Sequence, residues 1–239
     1  MPNWVYNTIT VSGKTEEVKK FVEKAKTPYQ TFHEGYGENA GKIIEETRTG
    51  EIMFWNFKKP ENTQAYFGKS DYKPEGYDKL SMEEQLAISM QFKSEGWYDF
   101  NNREWGTKWD ACNSQMFNEH YHEDGTATVQ YSFDTAWSPA TGAFEAMVQQ
   151  HPELHFEFYC EEEQGWGVEF ESSDEGELMV TREWDIPSSH ADWVKIDRED
   201  SCPCAYNDEP EDMYDDCPNN PKATEQAVAE MEDISEMIG

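Results

Sequence analysis

Two runs, WYDFNNREWGTKWDAC (residues 97–112) and TATVQYSFDTAWSP (residues 126–139), decide how the chain is read. Between them they hold Trp97, Trp105, Trp109 and Trp137, with Tyr98, Phe100, Tyr131 and Phe133 interleaved. Large rings bury more surface per residue than other side chains, so this density marks a core or a recognition surface. Lys108 to Cys112 and Ala127 to Phe133 read as strands, joined through the turn-prone Glu123-Asp124-Gly125. Ser138 is a candidate N-cap and Pro139 suits a first helical position. Phe144, Met147 and Val148 then supply an apolar stripe up to Gln150, and His151-Pro152 stops the helix.

Working outward, Asn3 to Val11 alternates as a strand does, and Ser12-Gly13 ends it. A helix follows from Thr15, its expected N-cap, to Lys26, with Val18, Phe21, Val22 and Ala25 on one stripe. Thr27 to Gly50 reads mainly as loop, with room for a short strand at Ile43-Ile44, and Glu51 to Lys58 (EIMFWNFK) reads as a strand. Pro60 to Tyr77 reads as a surface excursion, and Ser81 to Lys93 as a helix opened by a Ser81–Glu84 capping box. Leu154 to Cys160 is a strand, and Gly165 to Phe170 with Leu178 to Trp184 a further hairpin. Stripped of inserts, the order is strand, helix, strand, strand, helix, strand. That pattern predicts an α+β, ferredoxin-like antiparallel sheet with helices on one face and an extra C-terminal hairpin. The expected division is a domain over 1–185, with an insert at about 58–96, and an acidic arm over 186–239 that ends in an amphipathic helix from Ala223 to Ile238.

Fifty acidic residues against nineteen basic ones give a net charge of −31. The surplus is regional: Cys160 to Gly239 holds 25 Asp and Glu against 4 Lys and Arg. Such a chain repels polyanions, so direct binding of nucleic acid through a phosphate-neutralising surface is not expected, whereas a basic partner is. No apolar run reaches the roughly 20 residues that span a bilayer. The N-terminus lacks the basic-then-apolar pattern of a signal peptide, and five cysteines, an odd number, fit reduced thiols in a host cytoplasm.

Four short motifs occur in order: Met1-Pro2-Asn3-Trp4 with Asn7, Trp105-Gly106-Thr107-Lys108-Trp109-Asp110-Ala111, Phe133-Asp134-Thr135-Ala136-Trp137-Ser138-Pro139, and His151-Pro152-Glu153-Leu154. Together they resemble the YubB-like family, phage and plasmid proteins of uncharacterised function with a ferredoxin-like domain. The resemblance covers roughly residues 1 to 170 and implies a mobile-element origin. It carries over no catalytic residue. Tyr72 to Gly96 stands where the family shows a Pro-rich link.

Three constellations are chemically suggestive. Trp105, Lys108, Trp109, Asp110, Asp134 and Trp137 would line a pocket using cation–π and ion-pair contacts, or else form core and a sheet-edge ion pair. His120 and His122, with Glu123 and Asp124, are spaced to share a strand face and offer a metal site, or they are simply a polar loop. His190, Cys202, Cys204 and Cys217 offer a Cys3His zinc set at a non-standard spacing, with free thiols in a loop as the alternative. No phosphate loop, nucleophile elbow or HExxH motif is present. The expected function is therefore non-enzymatic, with no cofactor beyond the zinc alternative. The acidic residues, Asp208, Glu209, Glu211, Asp212, Asp215 and Asp216 among them, would occupy the nucleic-acid-binding site of a basic host protein and inhibit it. The alternative is a small-ligand or metal-dependent enzyme built on the Trp-lined pocket. Homo-oligomerisation stays open.

Overall fold

The structure is a computed structural model. It describes residues 2–34, 37–40, 42–68, 73, 75–198, 202, 213–218 and 220. The chain divides into two compact units, one of residues 1–163 and 168–183, the other of 164–167 and 184–239. The expected terminal helix, Ala223 to Ile238, lies outside the described residues.

The first unit is built on a six-stranded sheet. Its strands are β1 (Trp4–Lys14), β4 (Cys112–Tyr121), β5 (Thr126–Ala136), β6 (His155–Glu162), β7 (Gly167–Ser172) and β8 (Leu178–Trp184), in the order β4-β5-β1-β6-β7-β8. β1 lies antiparallel between β5 and β6, with Ile9 opposite Tyr131 on one side and Phe158 on the other. With the helices α1 (Thr15–Ala25) and α5 (Thr141–Gln150), the elements β1-α1-β4-β5-α5-β6 form the split β-α-β unit of a ferredoxin-like fold, extended by the β7–β8 hairpin.

Alternation within the strands creates one dry face. Val5, Ile9 and Val11 of β1, Val129, Tyr131 and Phe133 of β5, and Phe156 and Phe158 of β6 are all buried. Both helices cover that face: Phe21 of α1 packs 5.4 Å from Phe156 and 6.2 Å from Tyr131, and Phe144 of α5 stacks 4.4 Å from Phe158. Asn7 is the polar exception, and its side-chain amide donates to the carbonyls of Val5 and Phe133 and to the Thr135 hydroxyl. Among the described residues no helix covers the opposite face. There Tyr6 faces Asp134 and Glu161, Thr8 faces Ser132 and Tyr159, and Thr10 faces Gln130 and Glu157.

Between α1 and β4 the chain makes a long excursion. It contains a separate two-stranded sheet of β2 (Tyr29–Glu34) and β3 (Ile43–Arg48), then α2 (Thr63–Phe67), α3 (Met82–Glu95) and α4 (Trp97–Phe100), which runs into a π turn at Asn101–Trp105. Several expected elements differ here. Glu51 to Lys58 is not a strand: Phe54–Asn56 is a 3₁₀ turn, because the Met53 amide bonds to the Ala25 carbonyl and the Phe54 amide to Asp110. Residues 106–110 are bends, and the strand expected at Lys108 begins at Cys112. α2 brings the buried Ala65 and Tyr66 into what read as a surface excursion. Thr15 and Ser138 do not cap: Lys14 and Ala140 occupy the cap positions of α1 and α5, and the Ser138 hydroxyl bonds to the Gly106 carbonyl. The Ser81–Glu84 capping box of α3 is present.

The second unit holds α6 (His190–Lys195), capped by the Ser189 hydroxyl on the Asp192 amide. Trp193, Cys202 and Cys217 form a small buried cluster, with Ile196, Met213 and Tyr214 packed against it.

Candidate ligand cavity

The excursion lines an open-mouthed cavity of about 890 Å³, and eight of its lining side chains are aromatic. Its walls are fixed by hydrogen bonds to one carboxylate. Asp110 is buried; one carboxylate oxygen accepts from the amides of Phe54 (2.6 Å) and Ala111 (2.8 Å), and the other from the Tyr29 hydroxyl (2.8 Å). A single side chain thus ties the β2–β3 hairpin, the 3₁₀ turn and the entry to β4 together. Burial pushes the Asp110 pKa up, against the pull of the Arg48 charge and these three donors. Burial, then the Asp110 charge, pushes the Tyr29 phenol up as well, so it stays a hydrogen-bond donor at neutral pH.

Tyr29 and Arg48 are cross-strand partners at the base of the hairpin. Tyr29 stacks on Trp55, with centroids 4.7 Å apart and planes 7° from parallel. Arg48 donates through Nη2 to the carbonyls of Asp110 (3.4 Å) and Ala111 (3.1 Å). On the helical side, α2 is capped by Asn62, whose side-chain oxygen accepts from the Ala65 amide. Tyr66 donates to the Asn101 side chain at 2.9 Å, and Asn101 in turn donates to the Lys108 carbonyl at 2.9 Å. The π turn therefore serves to aim Asn101 at two elements at once.

The residues singled out from sequence separate in space. Trp109 and Asp110 line the cavity. Lys108 places its ammonium 4.7 Å from the Trp109 ring and 6.0 Å from Tyr98, and both rings belong to the lining. Trp105 is core: it is fully buried against Phe54 and Phe100 and donates through Nε1 to the Lys58 carbonyl at 2.6 Å. Asp134 accepts from the Asn113 side chain, and Trp137 is 53% exposed in a left-handed conformation (φ 75°). Neither lines the cavity. Tyr29, Arg48 and Tyr66 were not singled out, since each lies far from the Trp-rich runs and carries no local motif.

For metals, His120 and His122 meet edge to face with centroids 4.5 Å apart at an exposed strand end, and Asp124 is engaged by the amide and hydroxyl of Thr126. In the second unit His190 Nδ1 lies 3.4 Å from Cys202 Sγ, and Cys217 shares the same buried cluster. Cys204 lies outside the described residues. Among the described residues no group of three or more His, Cys, Asp and Glu side chains is arranged to hold a metal ion. Asp216 accepts from the amides of His190 and Ala191 and so starts α6, while Asp215 is exposed. Asp208, Glu209, Glu211 and Asp212 lie outside the described residues. Among the described residues no helix is long and apolar enough to cross a membrane.

With the sheet order and the cavity in place, the chain can be compared with known proteins. Residues 105–214 match the ferredoxin-like domain in Api92-like protein. That span takes in β4 to β8, α5 and α6, so the Api92-like stretch contributes Trp109 and Asp110 to the cavity, and the excursion before it contributes the rest. A crystal structure of a protein Api92 from Yersinia pseudotuberculosis is similar at 10% identity, over 78% of this chain and 99% of that one, with a TM-score of 0.37. So distant a likeness carries no structural argument. No curated protein matches the chain in sequence.

Proposed function

We propose that this chain binds a small planar organic molecule in the cavity of its excursion. The supporting observation is the eight aromatic side chains around about 890 Å³, within the size range of small-molecule sites. The hydrogen bonds of Tyr29 and Tyr66 hold two of these rings in place without a ligand, which lowers the ordering cost of binding. A thermal-shift screen with water-soluble heteroaromatic compounds tests this. Binders should raise the melting temperature of the wild type, and Trp109→Ala, at a half-buried ring, should weaken them roughly 10-fold. If no compound stabilises the chain, or Trp109→Ala binds every compound as well as the wild type does, the reading fails.

A second reading concerns the sheet face opposite the helices. The register sets Asp134, Glu157 and Glu161 around Tyr6 and Thr10 on a surface that no helix among the described residues covers, in a chain of net charge −31. Such a face suits a basic partner, and with a mobile-element origin that partner is a nucleic-acid-binding host protein which this chain inhibits by imitating phosphates. Capture of a basic host protein should weaken steeply between low and high salt. Capture that is indifferent to salt and to Glu157→Gln would rule this reading out.

A further inference from the structure

The cavity lining balances its charges in an otherwise acidic chain. Arg48 and Lys93 line it, and Lys108 stands over two of its rings. The facing acids are Asp99 and Asp110, and both carboxylate oxygens of Asp110 are occupied by protein donors. Arg48 uses Nη2 on two backbone carbonyls, and it also interacts with the Cys112 thiol and with the charge of Asp110. A guanidinium has five donors, so a half-buried one that holds two carbonyls through a single nitrogen and touches one thiol keeps part of its planar fork for a further acceptor. Carboxylates and phosphates match that fork with two parallel hydrogen bonds. The whole-molecule charge opposes long polyanions, which restricts the acceptor to a small ligand.

We infer that the ligand of the cavity is a planar heteroaromatic anion, its ring stacked between the aromatic walls and its carboxylate or phosphate on Arg48. This rests on the reading that the cavity binds a small molecule, and goes further in fixing the ligand's charge. Lys93 and Lys108 add point charges that steer the anion inward, whereas Arg48 fixes its orientation.

Titration calorimetry with matched pairs tests it: nicotinate against nicotinamide, indole-3-acetate against indole-3-acetamide, and adenosine 5′-monophosphate against adenosine. In the wild type at least one anion should bind about 10-fold or more tighter than its neutral counterpart. Arg48→Gln should erase that gap and leave the neutral compound's affinity in place. Arg48→Lys, which keeps the charge without the fork, should retain part of the gap, and it serves if the Gln variant does not fold. Equal affinities within every pair, or a gap that survives in both Arg48 variants, would overturn the anion assignment and leave the cavity reading standing. If neither member of any pair binds, both fall.

Discussion

Asp110→Ala is expected to cost about 3–5 kcal/mol of folding stability, read as a lower urea midpoint at unchanged slope in tryptophan fluorescence. The substitution removes the acceptor for the Phe54 and Ala111 amides and the Tyr29 hydroxyl together, in a place where water does not replace it. It also withdraws the nearest negative charge from Arg48. Asp110→Asn separates these effects. Both amides bond the same oxygen, Oδ1, which an asparagine retains, so the Asn variant should lose only about 1–2 kcal/mol. An Ala variant within 1 kcal/mol of wild type would show that these bonds do not hold the excursion in place.

Gly142→Ala should destabilise by about 2–3 kcal/mol, where helix propensity alone predicts a gain of roughly 1 kcal/mol. A Cβ at Gly142 would lie 2.2 Å from the carbonyl oxygen of Glu104 and 3.0 Å from its carbon. Both are backbone atoms of the π turn, so no rotamer change relieves the clash. The helix or the turn has to move, and the turn carries Asn101, which holds Tyr66 in the cavity wall. The same variant should therefore also weaken ligand binding, while Gln149→Ala, exposed on the same helix, stays within about 0.5 kcal/mol of wild type. Equal melting temperatures for Gly142→Ala and wild type would mean that α5 does not press on the π turn.

The sheet was largely legible from local pattern, because alternation in Trp4–Lys14 and Thr126–Ala136 and the stripes of α1 and α5 match the faces they bury. The excursion was not. EIMFWNFK is apolar without a period, which suits a strand or a buried turn equally, and only the distant Asp110 decides between them. The hairpin strands β2 and β3 are mostly exposed, so burial left no mark on their sequence. Trp109 and Asp110 could be picked out because they sit in a Trp-rich run. Arg48 and Tyr29 become meaningful only through their pairing across the hairpin and the reach of Tyr29 to Asp110.

The sheet's first border has a consequence for self-association. β4 breaks register with β5 twice, between Cys112 and Gln115 and again between Met116 and Asn118, and Asn113 adopts a left-handed backbone at the first break. A strand interrupted in this way offers an incoming chain no continuous ladder of amides and carbonyls. The opposite border, β8, shows exposed Met179 and Val180 beside Arg182 and Glu183.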